Sequence, residues 1–72
     1  MVKYGVVKDY NGRFGYILSS DNQRFDFSKE DISLNNHIKV NDYVVFRGEE
    51  KDKKLKLARN VARTDYRIDY YR

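Results

Sequence analysis

Two aromatic segments separated by a short polar stretch constrain the fold of this chain most. Residues 13–17 have the sequence Arg-Phe-Gly-Tyr-Ile, and residues 24–27 have the sequence Arg-Phe-Asp-Phe. Side chains two apart on a strand point to the same face, so Phe14 and Tyr16 share one face, while Gly15 allows a neighbouring backbone to approach. Ile17 would then face the core. The pattern predicts paired strands that leave aromatic rings exposed on one side.

Short alternating segments bounded by turn residues continue along the chain and predict strands rather than helices. The Asn-Gly pair at 11–12 predicts a tight hairpin because both residues tolerate positive φ, and the polar residues 19–22 predict a second turn. Ser28 with Asp31 three residues later predicts a single helical turn, and residues 48–54 predict a charged hairpin loop. The predicted strands are residues 3–10, 13–19, 23–27, 42–48 and 54–63.

The predicted core consists of apolar residues at alternating positions of these strands, with one residue from the helical turn. His37 is the only histidine and lies between asparagine and isoleucine in a polar loop, so we expect a surface residue rather than a ligand or a base. The predicted core residues are Val7, Ile17, Ile32, Val44, Phe46 and Val61.

Composition excludes several classes of protein. The 72 residues suffice for a single domain, and the absence of cysteine excludes a disulfide framework or a thiolate metal site. No N-terminal apolar stretch could serve as a signal peptide or membrane span, so we expect a cytoplasmic protein with no membrane partner. With one histidine, no metal-ligand spacing and no phosphate loop, we expect neither an enzyme nor a cofactor or metal. The net charge of +4 indicates an acidic partner.

Five sequence blocks, in order, resemble the cold-shock domain family, whose fold is a five-stranded OB-fold. Residues 5–11 resemble its opening strand, and residues 14–17 (Phe-Gly-Tyr-Ile) resemble its first ribonucleoprotein motif. Residues 25–28 resemble the end of its second motif, residues 38–46 its fourth strand, and residues 58–61 its final strand. The resemblance implies an all-β fold, a small five-stranded antiparallel OB-fold barrel over residues 1–63, with a short C-terminal extension at 64–72.

The exposed rings and the basic residues near them suit unpaired bases, because every base can stack on an aromatic face while cations attract phosphates. The resemblance likewise implies binding of single-stranded RNA or DNA, as an RNA chaperone or regulator. Alternation places Phe25 beside Phe27, but the family register directs Phe25 inward, so we assign Phe25 to the core and Phe27 to the binding rim. The candidate nucleic-acid-binding residues are Lys8, Tyr10, Arg13, Phe14, Tyr16, Arg24, Phe27, Lys54 and Arg59.

Three positions depart from the family pattern. Asp9 stands where the family has an exposed tryptophan, Asp26 where it has a stacking histidine, and Arg24 where it has a stacking phenylalanine. The two carboxylates favour a second hypothesis, an OB-fold module whose modified face binds a protein. The net positive charge and the segment 14–16 favour the nucleic-acid-binding hypothesis, which is the one that we prefer.

The C-terminal residues 64–72 are rich in tyrosine and arginine and lie beyond the resemblance. Tyr66 and Tyr70 fit one helical face, yet Tyr66, Ile68 and Tyr70 equally fit one strand face. The segment is either a short element packed on the barrel or an added aromatic and basic arm. A monomer or a weak edge-strand dimer is compatible with a barrel of this size.

Overall fold

The computed structural model describes residues 1–65, so most of the predicted extension at 64–72 lies outside the described residues. The predicted order of five strands with one helical turn between the third and the fourth is confirmed. No helix among the described residues is long and apolar enough to cross a membrane. The elements are β1 (Val2–Tyr10), β2 (Phe14–Ser19), β3 (Arg24–Ser28), a 3₁₀ turn (Lys29–Asp31), β4 (Tyr43–Glu50) and β5 (Lys56–Arg63).

The five strands form one closed barrel in the order β1-β2-β3-β5-β4. Strand pairs are antiparallel except at the junction of β3 and β5, which is parallel and joined in register at Asp26 and Leu57. The β4–β5 hairpin pairs as far as Glu50 and Lys56, so its loop is shorter than the sequence predicted. The outer face of β2 and β3 is therefore a continuous surface next to β5.

The β1–β2 hairpin has the predicted turn residues but not the predicted conformation at both of them. Gly12 has a φ of +94°, whereas Asn11 is not among the residues with positive φ. The Asn11 side-chain oxygen instead accepts hydrogen bonds from the backbone N–H groups of Arg13 (2.9 Å) and Phe14 (2.8 Å). This side-chain turn determines where β2 begins.

A bulge interrupts β1 at Lys8. Val7 pairs with Ile17, and the next pair is Asp9 with Tyr16, so β1 contains one residue more than β2 over this stretch. The extra residue shifts the alternation by one position, and Lys8 and Asp9 are both exposed. The carboxylate of Asp9 thereby reaches the same outer surface as Tyr16.

The predicted core is buried, except for Ile32, which is partly buried against it. Phe25 is fully buried as predicted, with its ring centroid 5.1 Å from that of Phe46. The prediction that Phe27 lies on the exposed rim is wrong, because its relative exposure is only 3%. Strand β3 pairs with β2 without a bulge, so strict alternation places Phe27 on the same inner face as Phe25.

The missing side chain of Gly15 leaves space for the Phe27 ring in the barrel interior. Gly15 pairs with Tyr10 on one side and Phe27 on the other, and the rings of these two residues stack with centroids 5.3 Å apart. Since Gly15 has no side chain, the two rings can meet from the neighbouring strands. The β1 bulge also turns Tyr10 inward. Uninterrupted alternation would place Tyr10 on the same face as Lys8, but Tyr10 packs against the core while Lys8 is exposed.

Candidate nucleic-acid interface

An open cleft of about 510 Å³ lies on the outer face of β2 and β3, between β1, the 3₁₀ turn and β5. It gathers five of the nine candidate residues. Two come from β2, two from β3 and one from β5, which is adjacent only because the barrel closes. These five residues are Phe14, Tyr16, Arg24, Phe27 and Arg59.

Phe14 presents the most exposed aromatic ring of the cleft. Its relative exposure is 59%, which confirms the predicted outward orientation of residues 14 and 16 and the inward orientation of Ile17. A ring left this exposed provides a stacking face for a planar ligand. Phe14 is thus positioned for stacking by the strand alternation and by the Asn11 turn before it.

Tyr16 is half-buried, and its ring is covered by the side chain of Arg24. The Arg24 guanidinium carbon lies 4.0 Å from the Tyr16 ring centroid. On its other side Arg24 donates a hydrogen bond from Nε to Oδ1 of Asp26 at 2.9 Å. The guanidinium cation therefore lies over the Tyr16 ring, while the Asp26 carboxylate accepts a hydrogen bond from its edge.

Two carboxylates flank Tyr16 on the neighbouring strands. Tyr16 pairs with Asp9 on β1 and with Asp26 on β3. Directly paired residues of adjacent strands extend from the same face with their Cβ atoms roughly 5 Å apart. Asp9 has no ion-pair partner among residues 1–65, so its negative charge is uncompensated locally.

Arg59 joins the far wall of the cleft to the 3₁₀ turn. Its Nη1 lies 2.6 Å from Oδ1 of Asp31, and its Nε lies 3.4 Å from Oε1 of Glu49. The hydrogen bond and charge of Asp31, with those of Glu49, raise the pKa of Arg59 above its ordinary value. Because its charge is shared between two carboxylates, Arg59 is less available to a phosphate than the sequence suggested.

Asp31 also closes the predicted turn at Ser28. Its Oδ2 accepts hydrogen bonds from the backbone N–H (2.9 Å) and the hydroxyl (3.1 Å) of Ser28. Burial acts to raise the pKa of the Asp31 carboxyl, but the hydrogen bonds from Ser28 and Arg59 outweigh it and lower the pKa below 3.8. The ionised carboxylate thus links the turn to β5.

The lowered pKa of Asp31 predicts an acid-sensitive contribution to stability. The contribution is fully present above the unfolded pKa of 3.8 and is lost as the pH falls through the lower folded pKa. We expect Asp31→Asn to reduce the free energy of unfolding by about 1 kcal/mol at neutral pH. In urea denaturation across the acid range, the difference between variant and parent should shrink below pH 4. A difference independent of pH would contradict this assignment.

Four candidate residues do not line the cleft. Tyr10 packs on Phe27 and the core. It also lines a separate hollow with residues 32–38. His37, which lines that hollow, is exposed as predicted. Lys8 and Arg13 are exposed at the cleft margin, next in sequence to Asp9 and Phe14, without ion pairs among the described residues. Lys54 lies in the β4–β5 loop and does not line the cleft.

The cleft lining carries more negative than positive groups, which the sequence analysis did not predict. Two guanidinium groups and three carboxylates line it, although the whole chain has a charge of +4. The unpaired cations are at the margin. No group of three histidine, cysteine, aspartate or glutamate residues within residues 1–65 could hold a metal ion.

Several lining residues were not assigned to the site from the sequence. Asp31 was identified only as a turn residue, and its spacing from Ser28 carried no sign of a partner on β5. Leu57 alternates with Arg59 along β5, which would have placed both on the outer face. The unassigned lining residues are Asn11, Gly15, Ser28, Asp31 and Leu57.

Comparison with known structures identifies the fold. A structure of cold-shock domains 4–6 of Drosophila Unr superimposes on 97% of this chain with a TM-score of 0.79 and 16% sequence identity. This chain spans 30% of the length of that structure. No protein-family model matches the sequence, and no curated protein matches it either. The chain has the cold-shock type of OB-fold, an all-β barrel of five strands.

Proposed function

We propose that this protein binds single-stranded RNA or DNA by stacking bases on the cleft face of β2 and β3. The observation that carries the proposal is the exposed Phe14 ring at the mouth of a cleft that also contains Tyr16. An exposed ring that shares one cleft with a second aromatic side chain offers a surface on which planar ligands can stack. An OB-fold that presents rings on this sheet face is suited to unpaired bases.

Stacking rather than phosphate attraction supplies most of the proposed affinity. The two cleft arginines are held by carboxylates, and the carboxylates in the lining outnumber them. The margin residues Lys8 and Arg13 are exposed and form no ion pair among the described residues, so both are free to approach a nucleic-acid backbone. The proposed role is therefore binding at moderate affinity, as an RNA chaperone or regulator needs, rather than catalysis.

Replacing Phe14 by alanine tests the stacking role. We expect the affinity for a single strand to fall by roughly 1–3 kcal/mol, because one stacking face is lost. The free energy of unfolding should change little, since the ring is mostly exposed. Fluorescence anisotropy with a labelled mixed-sequence RNA and a labelled oligothymidine would measure the affinity. Leu34→Ala is the matched control, because Leu34 is 89% exposed and does not line this cleft.

The salt dependence of binding tests the electrostatic part. If Lys8 and Arg13 contact phosphates, the logarithm of the affinity should fall with the logarithm of the salt concentration, by about 0.7 per contact. Lys8→Ala should reduce this slope by about one contact. An unchanged slope in both Lys8→Ala and Arg13→Ala would exclude these residues as phosphate contacts.

The excess of carboxylates favours a second candidate function, a protein-binding face. A basic protein segment could place cations against Asp9 and Asp26 while an apolar residue covers Phe14. The binding assay with labelled RNA and oligothymidine distinguishes the two functions. Absence of binding by either strand at low salt would exclude the nucleic-acid function and leave the protein-binding one.

A further inference from the structure

The Arg24 side chain occupies the place that a bound base would take on Tyr16. Its guanidinium carbon is 4.0 Å from the ring centroid, close to a stacking distance, and its Nε–H donates to Asp26 Oδ1 at 2.9 Å. The guanidinium group is planar, lies over the face of the Tyr16 ring and is hydrogen-bonded at its edge. These are the two contacts by which proteins hold unstacked bases.

One nucleobase has an edge with the same donors as a guanidinium group. The N1–H and the N2 amino group of guanine are adjacent donors, and a carboxylate with two acceptor oxygens matches such a pair. Adenine and cytosine place an acceptor nitrogen beside their amino group, and uracil places carbonyl oxygens on both sides of its N–H. Each of these acceptors would face the negative carboxylate unfavourably.

We propose that Tyr16 and Asp26 form a guanine-selective subsite, which Arg24 occupies while no strand is bound. This inference rests on the proposed function, because it specifies the base that the strand presents at the cleft. On binding, guanine replaces the guanidinium over the ring and at the carboxylate. The Arg24 side chain is 64% exposed, so it can move into solvent, and an exposed ion pair contributes little to stability.

The position of the second carboxylate agrees with a base, and not a phosphate, at this subsite. Asp9 and Asp26 pair with Tyr16 from opposite sides, so a phosphate over the ring would meet two negative charges. A neutral base carries no such penalty. The strand therefore passes with its backbone toward the margin, where Lys8 and Arg13 are exposed.

Strands that differ in a single base test the selectivity. The probes are fluorescein-labelled UUUGUUU, UUUAUUU and UUUUUUU, with a fourth strand that carries inosine, which lacks the N2 amino group. We expect the guanine strand to bind about tenfold more tightly than the uracil strand, with inosine between them and adenine near uracil. Equal affinities would overturn the selectivity and leave the proposed function intact. No binding by any strand would overturn both.

Variants test the exchange, with the ratio of guanine-strand to uracil-strand affinity as the measured quantity. Both strands have the same phosphates, so the ratio is insensitive to the loss of a phosphate contact. Asp26→Asn should bring the ratio close to one, because an amide has only one acceptor oxygen. Arg24→Ala should raise the ratio a few-fold, because the internal competitor is gone. Arg13→Ala, the control, should weaken both strands alike.

Opposite results would contradict the exchange. A ratio that is unchanged or lower in Arg24→Ala would show that Arg24 does not compete with guanine. A ratio retained in Asp26→Asn would show that the carboxylate does not bind the base. If either variant is poorly folded, the four strands tested on the unmodified protein still decide the selectivity.

Discussion

Replacing Phe27 by alanine is expected to remove a large share of the free energy of unfolding of the protein. The Phe27 ring is 3% exposed and stacks on Tyr10 within the core. Removal of a buried phenylalanine costs about 3–5 kcal/mol, from lost burial and from the cavity that remains. A domain of 72 residues has a total stability of roughly 4–11 kcal/mol. Urea denaturation followed by far-UV circular dichroism would measure the loss.

Phe14→Ala is the matched control for this substitution. Both residues are phenylalanines at the cleft, but Phe14 is 59% exposed, so its removal should change the free energy of unfolding by about 0.5 kcal/mol or less. Equal stability of the two variants would contradict the burial of Phe27. If the Phe27→Ala variant is stably folded but binds single-stranded nucleic acid more weakly, Phe27 is a binding residue, as the sequence analysis assigned it.

Replacing Gly15 by alanine is expected to disrupt the hairpin that carries Phe14 and Tyr16. A Cβ atom at residue 15 would lie 2.2 Å from the backbone oxygen of Asp9, which the β1 bulge places against it. A backbone atom cannot move aside as the end of a flexible side chain can, so β1 and β2 must separate. We expect a loss of about 3 kcal/mol or more in the free energy of unfolding.

Gly12→Ala separates this clash from the ordinary cost of replacing a glycine. Residue 12 has a φ of +94°, but no atom lies within 4 Å of the added Cβ. We expect the backbone strain alone to cost about 1–2 kcal/mol. Thermal melts of the two variants should therefore rank Gly15→Ala well below Gly12→Ala. The reverse order would show that the bulge adjusts to a side chain at residue 15.

In strands without a bulge, the alternation of side chains correctly predicts which residues point outward and which point inward. In β2 the outward ring of Phe14 and the inward side chain of Ile17 follow directly from period two. In β3 the same rule places Phe27 inside, and the family register, preferred over it, led to the wrong assignment. For Tyr10 the rule fails, because the extra residue at Lys8 shifts the alternation.

The sequence alone determined the order of the strands, the positions of the turns and the exposed ring of Phe14, because these depend on residues close together in the chain. Only the tertiary structure decided which charges compensate one another, since Arg59 meets Asp31 across the closed barrel. It also decided where β1 bulges and so which way Asp9 faces. Closing a sheet into a barrel requires strands to bend, and the place of the bend depends on the neighbouring strands.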